Sequence, residues 1–103
     1  MCQNDNFSDR CFMLSVPGNM TDGQVDIRYF NLLSTICNVR NTRMHSALAS
    51  VLVDGMTRRE ACVRFGVSQS HFSIKYRHMQ MVSHTVARMV PFINFDIRNR
   101  SSL

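Results

Sequence analysis

Thr57-Arg58-Arg59-Glu60-Ala61-Cys62-Val63-Arg64-Phe65-Gly66-Val67-Ser68-Gln69-Ser70-His71-Phe72-Ser73-Ile74-Lys75-Tyr76-Arg77 holds two helix starts and one helix stop. Thr57 and Glu60 have the spacing of a capping box, in which the Thr57 hydroxyl accepts from the Glu60 amide and the Glu60 carboxylate returns to the Thr57 amide. The helix that follows turns Ala61, Cys62 and Phe65 inward and closes at Gly66. Ser68 is a good N-cap for the next helix. There Phe72, Tyr76, Met79, Val82, Val86 and Val90 keep to one stripe, which Pro91 is expected to end. Two helices joined by Gly66-Val67-Ser68 form a helix-turn-helix candidate over 57–77.

The residue types suit that geometry. Two helices crossing steeply bring their backbones together, so the crossing needs a small side chain, and Cys62 stands there. Gly66 can adopt the left-handed conformation that reverses the chain. Val67 fills the gap between the helices, and Phe72 and Tyr76 anchor the second one. Gln69, Ser70, His71, Ser73, Ile74 and Arg77 then face outward, with short polar side chains near the start of the helix, where entry into a DNA groove is closest. Arg58, Arg59, Arg64, Lys75 and Arg77 flank them as candidate phosphate contacts, which fix register and supply salt-dependent affinity. The expected DNA-binding set is therefore Arg58, Arg59, Arg64, Gln69, Ser70, His71, Ser73, Lys75 and Arg77, packed by Cys62, Gly66, Val67 and Phe72.

Outward from this segment the periodicity stays helical. Thr21 or Asp22 can start a helix over about 24–38, with Ile27, Phe30, Leu33 and Cys37 on one stripe and Leu32 and Ile36 widening it. A second helix begins after Asn41 or Thr42, repeats Met44, Ala47, Leu48, Val51 and Leu52, and ends at Gly55. Residues 1–20 lack a sustained period, carry a turn signal at Val16-Pro17-Gly18-Asn19, and read as a flexible arm. After Pro91 the alternation Ile93, Phe95, Ile97 is strand-like but short, and residues 93–103 read as a tail. The expected fold is all-α: a small helical domain over 21–92. Such a short chain offers few internal partners for so many apolar stripes. Ile27, Phe30, Leu33, Ile36 and Cys37 are therefore candidates for a subunit interface as well as for the core.

Composition narrows the function. The chain has 103 residues, 45% of them apolar and 18% charged, enough for one modest core. Twelve Lys and Arg against seven Asp and Glu give a net charge of +5. Eleven of the twelve are Arg, whose planar fork matches phosphate, so a polyanionic partner is favoured. From Thr57 to Arg88 the acids reduce to Glu60. No apolar run approaches the roughly 20 residues of a membrane span. The polar, acidic start Met1-Cys2-Gln3-Asn4-Asp5-Asn6 does not read as a secretory signal.

Cys2, Cys11, Cys37 and Cys62 include no C-x-x-C pair, and reduced thiols in a cytoplasmic protein are expected rather than zinc or disulfides. His45, His71, His78 and His84 lack ligand spacing, and the neighbours Ser70-His71 and Ser83-His84 point apart on a helix with no acid to orient the His. The eight Met residues read mainly as adaptable core filler. No enzyme, cofactor, metal or small-molecule ligand is indicated.

Leu32-Leu33-x-x-Ile36, Arg43-x-x-x-Ala47-Leu48, Leu52-Val53-x-Gly55, Arg58-x-Glu60-x-Cys62 and Val67 through Phe72-Ser73 together resemble the PapB-type regulators of fimbrial (adhesin) operons in enteric bacteria. The likeness runs from Pro17-Gly18 to Ala87-Arg88-x-x-Pro91. At the turn, Gly66 is closer to the general helix-turn-helix pattern than the longer polar residue found in such regulators. The resemblance implies a cytoplasmic, nucleoid-associated transcriptional regulator that binds A·T-rich operon DNA as a dimer or higher oligomer. It places Arg59, Cys62 and the 68–77 helix in the DNA-binding unit, Cys62 as a packing residue, and gives helix 24–38 to oligomer formation. The competing expectation is a module of the same fold that binds another regulator and not DNA.

Overall fold

In a computed structural model of the chain, the backbone is described for residues 18–102 and side chains for residues 18–93. The expected arm thus lies outside the described residues up to Pro17, as do Cys2, Cys11 and the side chains of Phe95 and Ile97. Among the described residues there are four helices: α1 (Ile27–Ile36), α2 (Thr42–Leu52), α3 (Arg58–Phe65) and α4 (Gln69–Ser102). Among the described residues there is no strand, so the fold is all-α.

Residues 20–82 form one compact unit, while Gly18, Asn19 and α4 from Ser83 onward belong to another. In the first, Phe30, Leu33, Leu48, Val51, Leu52, Phe72 and Met79 are almost completely buried, joined by Met44, Ala47, Ala61 and Cys62. Each large apolar side chain withdrawn from water contributes about 1.5–3 kcal/mol before its ordering cost. In the second unit the Ser83 hydroxyl, on a fully buried residue, donates to the Gly18 carbonyl.

The start of α1 departs from the sequence reading. The helix begins at Ile27, where the Asp26 carboxylate caps it by accepting from the Arg28 amide at 2.7 Å. Thr21 and Asp22 belong instead to a turn closed by Gln24 N–H on the Thr21 carbonyl. The cause is tertiary: the Gly23 amide donates to the Val51 and Leu52 carbonyls, and Val25 to Leu52, so this segment caps the far end of α2 in place of coiling. Gly23 has φ +79°, and a Cβ there would stand 3.0 Å from the Gly55 Cα, so the close approach requires glycine. α1 ends with Asn38 at φ 59°, its amide on Thr35 and that of Val39 on Ser34, a Schellman pattern.

The next boundaries follow the sequence. Asn41 caps α2 through its side-chain oxygen and the Met44 amide at 3.0 Å. The Thr57 hydroxyl accepts from the Glu60 amide at 3.2 Å, the hydroxyl half of the expected box. Gly66 closes α3 in the left-handed conformation (φ 66°, ψ 37°), with the amides of Gly66 and Val67 both on the Cys62 carbonyl. Ser68 accepts from the His71 amide at 3.1 Å and starts α4.

Pro91 does not stop α4. It lies inside a helix of 34 residues that continues to Ser102, so the strand-like reading of Ile93, Phe95 and Ile97 and the tail reading of 93–102 give way to helix. Proline removes one amide donor and crowds the carbonyl four residues back, yet its fixed φ near −65° is itself helical. The rungs on either side suffice to carry the helix past it.

Candidate nucleic-acid interface

α3 and α4 are joined by the three residues Gly66, Val67 and Ser68. Ala61 and Cys62 are buried on the inner side of α3, and Phe72 is 1% exposed on α4. Val67 is half-buried, which suits a side chain wedged at the edge of the junction. Burial pushes the Cys62 thiol above its ordinary value, so the residue packs as a small hydrophobe and carries little thiolate. Burial also raises Cys37, with the Lys75 charge pulling the other way.

Arg58, Arg59, Arg64, Gln69, Ser70, His71 and Arg77 are exposed, whereas Ser73 and Lys75 are half-buried. They do not form one flat face. On α3, 100° per residue sets Arg59 and Arg64 about 140° apart with Val63, 77% exposed, between them. On α4, Ser70, Ile74 and Arg77 point directly away from Phe72, with Gln69 and Ser73 on one flank and His71 and Lys75 on the other. Among the described residues, none of Arg59, Arg64 and Arg77 is ion-paired, the ion pair being Arg28–Asp26 at 2.8 Å.

Arg58 departs most from a freely solvated cation. Its guanidinium stacks over the Tyr76 ring, 4.1 Å from the centroid, and the Tyr76 hydroxyl donates to Asp22 at 2.6 Å. Gln80 extends the set, donating to the Met20 carbonyl at 2.7 Å and accepting from the Met20 amide at 3.0 Å. Burial and the Asp22 bond raise the Tyr76 phenol above its ordinary value. Nothing in the spacing of residues 22, 58 and 76 announces this contact.

The sequence reading also missed Arg40 and Arg43. Both are exposed, and they lie where the α1–α2 loop and the start of α2 meet the turn. Together with Val67, His71, Ile74 and Lys75 they line an open groove of about 560 Å³. Arg43 reaches the turn itself, its Nη1 lying 4.0 Å from the place a Gly66 Cβ would occupy. Two Arg within the short stretch Asn38-Val39-Arg40-Asn41-Thr42-Arg43 were the available signal. Their distance in sequence from position 57 hid it.

The expected subunit-interface set divides as well. Phe30, Leu33 and Cys37 are packed inside the chain's own core, so they are core residues and not a surface. Ile27 and Ile36 are 47% and 59% exposed, and Leu32 beside them 66%. Among the described residues no three His, Cys, Asp or Glu side chains cluster as metal ligands would. No helix there is long and apolar enough to cross a membrane.

Fold and surface define a class: small all-helical proteins whose cationic, acid-poor side surrounds a tight turn between two helices. Residues 3–93 match the PapB family, adhesin biosynthesis transcription regulatory proteins, and the chain belongs to that family. It is 46% identical over 70 residues to the F1845 adhesin operon regulatory protein of Escherichia coli, covering 68% of this chain and 82% of that one. It is 43% identical over 75 residues to the AFA-III adhesin operon regulatory protein of Escherichia coli, covering 73% and 74%. The regulatory protein FanB of the same organism is 33% identical over 61 residues, covering 59% and 62%. No solved structure matches the chain.

Proposed function

We propose that the chain is a DNA-binding transcriptional regulator of adhesin (fimbrial) genes, with α3, the Gly66–Ser68 turn and the first turns of α4 acting as a helix-turn-helix. It acts in the cytoplasm, on the nucleoid, and has no catalytic role. Ser70, Ile74 and Arg77 lead into the groove, with Gln69 and Ser73 on one side and His71 and Lys75 on the other. Arg58, Arg59 and Arg64 hold phosphates. The observation that carries the reading is a set of exposed Arg side chains, without ion-pair partners among the described residues, flanking a left-handed glycine turn, in a chain whose relatives are named as operon regulators. Base preference for A·T-rich operon DNA and assembly as a dimer or larger oligomer, through the exposed edge of α1 at Ile27 and Ile36, complete the proposal.

Ile74, 60% exposed at the centre of the outward face, favours a second reading: the same face binding another regulator protein. A mobility-shift titration on A·T-rich and G·C-rich duplexes at two salt concentrations separates the two. DNA binding requires a shift that weakens steeply with salt and favours the A·T-rich duplex. Absence of any shift at low salt would overturn it. Footprints at rising protein concentration report assembly, since protection that lengthens in regular steps marks oligomers laid along the duplex.

A further inference from the structure

The groove beside the turn is unusual in its charge. Arg40, Arg43 and Lys75 line it as three cations, His71 adds an imidazole, and there is no Asp or Glu among its lining residues. Met44, Val67 and Ile74 supply apolar wall. Arg40 is held by its Nε donating to Asn38 Oδ1 at 2.9 Å, which leaves its two terminal nitrogens for other partners. Arg43 leans over Gly66, and no ion-pair partner is present for either Arg among the described residues. Like charges gathered without a counter-charge repel one another, and a ligand that supplies the missing negative charge relieves the repulsion.

We propose that this groove holds the DNA sugar–phosphate backbone as a second contact site, with Arg40 and Arg43 each on a phosphate and the apolar wall against the sugars. The proposal rests on the DNA-binding reading above and adds to it a segment, Asn38–Arg43, outside the helix-turn-helix. Two features favour a polymer over a small anion. The groove is open to solvent, and two of its lining residues, His71 and Ile74, also belong to the outward part of α4, so one continuous strand can meet both surfaces. A guanidinium offers the paired donors that a phosphodiester accepts.

The test compares wild type, R40A/R43A, R40K/R43K and R59A in duplex titrations over a range of salt concentrations. Loss of two phosphate contacts lowers the slope of log K against log salt by about two units, while the ratio of A·T-rich to G·C-rich affinity stays at its wild-type value. The lysine pair retains the point charges and recovers most of the slope. Both side chains are exposed, so the thermal midpoint stays near wild type; should the double variant unfold, R40A alone gives a drop of about one unit. A wild-type slope for R40A/R43A beside a reduced slope for R59A overturns the groove site and leaves the DNA-binding reading standing. Absence of salt-dependent binding by the wild type removes both. Saturable binding of pyrophosphate that R40A/R43A abolishes, with an unchanged DNA slope, assigns the groove to a small anion and overturns the proposal.

Discussion

Replacing Gly66 with Ala tests the turn on which the interface depends. An L side chain in the left-handed region costs about 1–2 kcal/mol. The substitution also restricts the unfolded chain, which returns about 0.4–1 kcal/mol. No clash adds to this, since the nearest heavy atom to the new Cβ is Arg43 Nη1 at 4.0 Å. The net loss is about 1 kcal/mol, or about 4–8 °C in Tm for a domain of this size. Gly66→Asn should cost less, because Asn visits this conformation more readily. Gly23→Ala carries the same backbone cost at φ +79° and also sets its Cβ 3.0 Å from the Gly55 Cα, which is backbone and cannot step aside. Overpacking adds about 1–3 kcal/mol, for a total of about 2–4 kcal/mol. Urea unfolding followed by far-UV circular dichroism should rank wild type, G66N, G66A and G23A in that order, with similar m-values. If G66A equals the wild type, or costs as much as G23A, the left-handed, sterically open turn is wrong.

Cys62→Leu should lose about 1–3 kcal/mol by overpacking the α3 crossing, since Cys62 is 3% exposed; unchanged thermal stability would place it at the surface. Arg59→Ala should weaken binding to every duplex alike and lower the salt slope by about one unit, and an unaltered slope would remove Arg59 from the phosphate contacts. Tyr76 should ionise above the ordinary phenol value of 10.0, chiefly through burial and then through its bond to Asp22. Its folded value is raised, so its contribution to stability is whole below pH 10 and fades as pH climbs through the folded value. Asp22→Asn should bring the titration, followed by NMR at the Tyr76 ring, down toward 10; no movement would show that the Asp22 bond is not made in solution.

Local signals carried much of this architecture. The apolar repeat from Met44 to Leu52, the Thr57 cap, the Gly66 stop and the Ser68 cap are all decided by residues within one or two turns of each other, and a linear reading finds such features. Most of the discrepancies are set by residues distant in sequence. Residues 21–25 look able to coil until the end of α2 takes up the Gly23 and Val25 amides. Phe30, Leu33 and Cys37 looked equally fit for a partner or for the core, and only the packing of α1 decides between them. Arg40 and Arg43 come beside the turn through the fold, from the α1–α2 loop and the start of α2, more than twenty positions away. At Pro91 the cause is local: one missing donor weighs less than the rest of a helix that continues to Ser102.

The stacking of Arg58 on Tyr76 bears on how quickly and how sharply that cation can engage. A long side chain free in water samples many rotamers, and fixing it costs up to about 2 kcal/mol. Arg58 has surrendered part of that freedom during folding, against a ring that Asp22 in turn holds in place. The Tyr76 ring covers one side of the guanidinium and leaves N–H groups on its other sides for an incoming acceptor. In the proposed DNA complex, a phosphate arriving from that direction would meet donors already aimed, making Arg58 a rigid gauge of position and Arg59 a supple tether.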